Sequence, residues 1–266
     1  MLRQLRAALL LTTLLGTAAT AQDVQYKSTM QMSMTGMSAG LPSLVTTTSA
    51  KGALLRLDTD MDMGAMGGMK VSFIIDGHAH KTYMINHNDK SYRETASPLT
   101  ALDSAADQMG MGAAPVTTDL HEDTTINGYA ARHLIATTEM PATNLPLASL
   151  KPDSKLLVVM DAWISSDTAL AAVYKHVTSA MAMNSRNPFM AMAQDTQIQG
   201  FPLRMTILIV QVPKAGTVDA QAILKGAPDA SVVMKTVAEI TSISVAPLPD
   251  SLFKVPADYT RAASWQ

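Results

Sequence analysis

The chain has 266 residues, 47% of them hydrophobic and 16% charged, with a formal net charge of −2 and no cysteine. That mild balance gives no electrostatic case for nucleic acid or an anionic lipid surface as partner. A chain of this length folds around its core without disulfides. Twenty methionines against four phenylalanines and two tryptophans form the bias that a functional reading has to explain.

Taken in order, the chain opens on a targeting pattern. Arg3 and Arg6, the short apolar run Ala7 to Leu15 and the small-x-small step Ala19-Thr20-Ala21 before Gln22 read as a cleaved signal over residues 1–21. The run is shorter than the roughly 20 residues a membrane span needs, and no cysteine follows the cleavage site to carry a lipid anchor. The expected location is the periplasm or the outside of the cell. Losing Arg3 and Arg6 takes the net charge from −2 to −4. Residues 22–266 are expected to form one domain built on a curved sheet.

Val24, Tyr26, Ser28, Met30, Met32 and Met34 alternate with polar residues, a strand with one buried face and methionines along its far end. Ala53, Leu55 and Leu57 repeat the pattern, and the following DMDMGAMGGM is a Gly-rich link. Lys70 to Glu94 reads as three strands. Asp76-Gly77 is expected to supply positive φ for a two-residue hairpin, and Asn88-Asp89 the second reversal.

Ser97-Pro98 suits the start of a helix carrying Leu99, Leu102, Ala106 and Met109 on one face up to Gly110. A hairpin turning at Asn127-Gly128 follows. Lys155 to Ile164 is apolar on both faces and is expected in the middle of the sheet. A second helix, capped by Ser166 or Asp167, is expected over Thr168 to Met183, with Leu170, Val173, Tyr174, Val177 and Met181 on its apolar stripe. Leu203–Val212 and Val232–Val245 read as strands. Between them, Pro213–Asp229 is a polar excursion with room for one helical turn.

Several stretches resemble the DUF4412 family of secreted bacterial proteins. They are the D-G…Y-M-I-N…K-S-Y meander of Asp76 to Tyr92, the I-N-G-Y hairpin of Ile126 to Ile135 and D-A-W-I at Asp161 to Ile164. G-F-P-L-R-M at Gly200 to Met205 and the tail P-D-S-L-F-K-V-P-A-D-Y at Pro249 to Tyr259 complete the set. That family is similar in fold to the LolA/LolB lipoprotein carriers, and it brings no catalytic motif to carry over. The element order and this resemblance together predict an α+β fold. Its core is a strongly curved antiparallel sheet of roughly eight to eleven strands, an open half-barrel with one or two helices packed on its concave face.

A hydrophobic ligand, a lipid or a lipidated partner, suits a wall of flexible, polarizable methionines. The residues expected to line it are Met30, Met32, Met34, Val173, Val177 and Met181, and the plain alternative is an ordinary core filled by methionine. Cu(I), which favours thioethers, is the second reading, with Met61, Met63, Met66 and Met69 as ligands and His78, His80 and His87 nearby in sequence. Catalysis finds no support: there is no G-x-S-x-G, H-E-x-x-H or phosphate-binding glycine loop, and His121-Glu122-Asp123 lacks the second histidine of a zinc motif. A structural or partner-binding module using open sheet edges is the fourth. The leading expectation is therefore a non-catalytic periplasmic binder with no resident cofactor.

Overall fold

The computed structural model describes residues 23–35, 43–62, 67–95, 116–140, 153–182, 200–215, 219–226 and 230–263, without the side chains of 140, 176 and 178–182. Among the described residues twelve strands form one continuous sheet in the order β12-β6-β5-β4-β3-β2-β1-β11-β10-β9-β8-β7. The first six are β1 (Val24–Met34), β2 (Ser43–Lys51), β3 (Leu54–Asp62), β4 (Gly68–Asp76), β5 (Lys81–Asn86) and β6 (Ser91–Thr95). Then come β7 (Val116–Ile126), β8 (Tyr129–Met140), β9 (Ser154–Ser165), β10 (Phe201–Pro213), β11 (Ser231–Val245) and β12 (Thr260–Arg261). Two sequential meanders, β1–β6 and β7–β11, are joined where β1 pairs with β11.

This corrects the expectation of a strongly curved antiparallel half-barrel. The sheet is mixed, because β12 runs parallel to β6, and it is neither closed nor strongly curled, with β7 and β12 left as its two edges. Among the described residues only one helix is substantial, α1 (Thr168–Ala182). The physical reason lies in the tail. After β11 the chain does not turn back as a hairpin. It crosses β3 and β4 through a 3-10 helix, Asp250–Phe253, and arrives beside β6 in the same direction. Alternation reports which face a side chain takes, but not how far a sheet coils. The helix expected at Ser97–Gly110 lies outside the described residues.

Local chemistry explains the turns. Asn127 and Gly128 both adopt positive φ (53° and 82°) and join β7 directly to β8, as a primed two-residue turn requires. Asp76-Gly77 behaves differently from expectation. The loop runs over residues 77–80, its positive φ falls on His80, and Asp76 Oδ1 accepts from the amides of His78 and Ala79 at 2.9 Å. Glycine is needed at 77 because a Cβ there would sit 2.9 Å from the Ala53 carbonyl oxygen. At Gly200 the requirement is double: φ is +139°, and a Cβ would lie 2.4 Å from the Ser165 carbonyl oxygen.

The α1 helix starts as its sequence dictates, with Asp167 Oδ1 accepting from the amides of Ala169 and Leu170 at 3.0 Å. Its buried stripe of Leu170, Val173 and Val177 packs into a core with Val24, Tyr26, Phe201, Leu203 and Ile240. Phe201 is the hub, with edge-on rings from Tyr26 at 5.0 Å and Tyr174 at 6.0 Å. Burial pushes the hydroxyl pKa of both tyrosines up. The polar excursion holds a short helix, α2 (Ala220–Leu224), whose Ile223 closes a second core over Ile135, Val159, Leu208 and Val210. As expected, β9 is interior to the sheet and almost wholly buried, but it lies third from the β7 edge and not in the middle.

Candidate functional site

The registers place the methionines. Residues directly opposite on neighbouring strands share a face, and so do residues two apart along one strand. One row across the sheet reads Met69, Met61, Leu44, Met30, Ala238, Met205, Ala162 and Leu134 from β4 to β8. The next reads Met32, Thr236, Ile207, Met160 and Ala136, and the third Met34, Met234, Ile209, Val158 and Thr138. Met84 joins the same face through Phe73. Every methionine whose side chain is described (Met30, Met32, Met34, Met61, Met69, Met84, Met160, Met205 and Met234) therefore lies on one face of the sheet. It is the face that carries Val24, Tyr26 and α1.

Along this face the environment changes. Near α1, Val24 and Tyr26 are sealed into the core. Beyond Ser28, Met30, Met32 and Met34 are half-buried, as are Met61, Met69, Met205 and Met234. Beside them Ile207, Ile209, Val158 and Met160 form a buried floor, against which Met205 and Met234 pack. From Met69 to Met205 the row crosses five interstrand spacings, about 24 Å at roughly 4.8 Å each. From Met30 to Met34 it runs about 13 Å at roughly 3.3 Å per residue.

Of the residues expected to line a ligand surface, the structure puts Met30, Met32 and Met34 at the half-buried end of this face. Val173 and Val177 sit at the other end, 8% and 4% exposed within the α1 core. Met181 belongs to α1, and its side chain lies outside the described part. Of the four expected copper ligands, Met61 and Met69 stand directly opposite each other on β3 and β4, while Met63 and Met66 lie outside the described residues. His78 and His80 are exposed at the 77–80 loop, where no methionine of this face is near them in register. Sequence reasoning missed Met84, Met160, Met205 and Met234. Their shared face becomes visible only when the strand registers align them, and Met160 sits in a strand that is apolar on both faces.

The opposite face carries the polar chemistry. Arg56 grips Asp58 through Nε at 2.8 and 2.9 Å, and its Nη1 donates to the Leu252 carbonyl at 2.8 Å. Ser72, fully buried, lies between Asp58 and His87, with His87 Nε2 at 2.5 Å. His87 Nδ1 lies 2.7 Å from the Tyr259 hydroxyl. One order of donors fits a neutral ring. The Tyr259 hydroxyl donates to His87 Nδ1, His87 Nε2–H donates to Ser72, and Ser72 donates to the Asp58 carboxylate. Desolvation by burial, then the Arg56 charge, pushes the His87 pKa below its ordinary value, in keeping with that neutral ring. Lys90 pairs with Asp258 at 3.0 Å, and the Thr260 amide donates to the Lys90 carbonyl at 3.0 Å. The relay thus fastens the chain's tail to the meander.

A second polar cluster lies near the β7 edge. His133 is stacked on Trp163, with ring centroids 4.3 Å apart. Its Nδ1 meets Glu122 at 2.8 Å and its Nε2 meets Asp161. A carboxylate at each ring nitrogen calls for an imidazolium, since a neutral ring has only one N–H to donate. Burial lowers the His133 pKa, but the hydrogen bonds to the two carboxylates outweigh it and raise the net value. His121 and Glu122 lie in the β7 irregularity between Asp119 and Asp123, with His121 at φ 55°. Both clusters are internally satisfied. Among the described residues no group of three His, Cys, Asp or Glu side chains is placed to hold a metal, and no helix is long and apolar enough to cross a membrane.

Comparison with known proteins gives one family and several distant structures. The family model described as "Domain of unknown function (DUF4412)" matches residues 26–259. No curated protein matches the sequence. Among solved structures, a LolA superfamily protein from Nitrosomonas europaea is 9% identical at a TM-score of 0.30, covering 88% of this chain and 90% of its own. The Mycobacterium tuberculosis lipoprotein LppX is 9% identical at 0.38, covering 85% and 88%. A DUF1329 family protein from Desulfovibrio piger is 10% identical at 0.21, covering 89% and 91%.

Proposed function

We propose that the chain, which belongs to the DUF4412 family, is a non-catalytic binding protein for a hydrophobic ligand, a lipid or a lipidated partner, working outside the cytoplasm. The observation that carries this reading is the segregation of methionines. A core that merely used methionine for leucine would bury it from both sides of a sheet that has apolar residues on both. Here the opposite face takes Ile135, Val159, Leu208 and Val210 under α2 instead. The half-buried thioethers form an apolar surface that changes shape cheaply, which suits acyl chains of differing length and kink. Each methylene buried there is worth about 0.8 kcal/mol. The signal-like residues 1–21 support the location.

The test is binding of a fluorescent hydrophobic amine, 1-N-phenylnaphthylamine. Met32→Glu places a charge on the methionine face, while Ser33→Glu places it one residue along β1 on the opposite face. The reading predicts that Met32→Glu abolishes the fluorescence rise and Ser33→Glu preserves it. Equal binding by both variants refutes it.

The opposed pair Met61 and Met69 favours one second reading, Cu(I) held by thioethers. It requires sulfurs beyond that pair, and Met61→Leu with Met69→Leu then removes copper binding while leaving the dye signal intact.

A further inference from the structure

Half-buried thioethers gathered on one face are, among the described residues, groups open to two-electron oxidation. We propose that the half-buried methionines of this face are a sulfoxidation site for oxygen-transfer oxidants such as hypochlorous acid, and that their oxidation releases the ligand. This rests on the binding surface proposed above.

The chemistry is simple. The thioether sulfur attacks the oxygen of HOCl, an S–O bond forms as the O–Cl bond breaks, and chloride and a proton leave. Sulfur gives up two electrons and chlorine takes them, so no further reductant or cofactor is needed. With no cysteine in the chain, no thiolate competes for the oxidant. The product is polar and carries a strong acceptor, while the neighbours in register offer few donors. Met30 lies between Leu44 and Ala238, and Met61 between Leu44 and Met69. An acyl chain laid on such a surface then covers an acceptor with no partner, which weakens binding by about tenfold or more for each sulfoxide covered.

The structure supplies an internal control. Met160 shares a row with Met32 but is only 5% exposed. The experiment is a titration of the full chain with HOCl, followed by peptide mass spectrometry and 1-N-phenylnaphthylamine binding. The proposal predicts sulfoxide on Met30, Met32, Met34, Met61 and Met69 at oxidant ratios that leave Met160 a thioether, with dye binding lost in parallel. The variant with Met30, Met32, Met34, Met61 and Met69 all changed to leucine keeps an apolar face that cannot be oxidised at those positions, and should retain most dye binding after treatment. Oxidation of Met160 in step with the others overturns the proposal, as does full sulfoxidation with dye binding unchanged. If the untreated protein binds no dye, the ligand reading fails on its own account, and the release step fails with it. The order of oxidation then still decides whether the face is the modification site.

Discussion

Replacing Ser72 by alanine deletes one oxygen from a fully buried site and breaks three hydrogen bonds at once, of which the 3.4 Å one from Arg56 Nη2 is the weakest. The Asp58 carboxylate loses its Ser72 donor, a charge-assisted bond worth about 1.5–3 kcal/mol. His87 Nε2–H loses its acceptor, a further loss of about 1 kcal/mol. Arg56 stays on Asp58 through Nε, so the carboxylate is not stranded, and the expected total is about 2–4 kcal/mol. For a domain of this size each kcal/mol moves Tm by about 2–4 °C, which places the variant roughly 5–15 °C below the parent. Tyr259→Phe removes the other end of the relay and costs about 1 kcal/mol alone. The double variant should lose less than the sum, because an untethered His87 no longer holds Tyr259. Urea and thermal unfolding measure all four proteins. A Ser72→Ala loss under about 0.5 kcal/mol, or additivity within about 0.3 kcal/mol, refutes the relay.

The two histidine clusters carry opposite pH signatures. His133 has a raised pKa, so its stabilisation is full below the unfolded value near 6.5 and is lost as pH rises through the folded value. His87 has a lowered pKa, so its contribution is full above that unfolded value and falls as pH drops towards the folded one. Thermal unfolding of His133→Gln and His87→Gln from pH 5 to 9 should flatten the alkaline and the acidic flank respectively; the reverse assignment contradicts the geometry. Gly200→Ala meets both a φ of +139° and an oxygen 2.4 Å from the new carbon. It is expected to cost more than about 4 kcal/mol, read as a collapse in soluble yield or urea midpoint.

How far the sequence disclosed this depended on the range of each interaction. Turns and caps are local, and Asn127-Gly128 and Asp167 behave as their types require. Asp76-Gly77 misled because the same dipeptide signals a positive-φ turn or a close backbone approach, and only the Ala53 carbonyl decides between them. The one-faced methionines of β1 were legible from alternation. Their continuation into Met61, Met69, Met205 and Met234 was not, because register between strands far apart in sequence is set by tertiary packing. The parallel β12 was hidden for the same reason. Its two residues have no period, and its direction follows from where Arg56, His87 and Lys90 hold the tail.

The most direct test of the hydrophobic-ligand reading is native mass spectrometry of the protein isolated from its own cells without chelator or harsh detergent. The account predicts a lipid-sized adduct that Met32→Glu abolishes. A bare mass, or a copper-sized adduct lost on changing Met61 and Met69 to leucine, would contradict it.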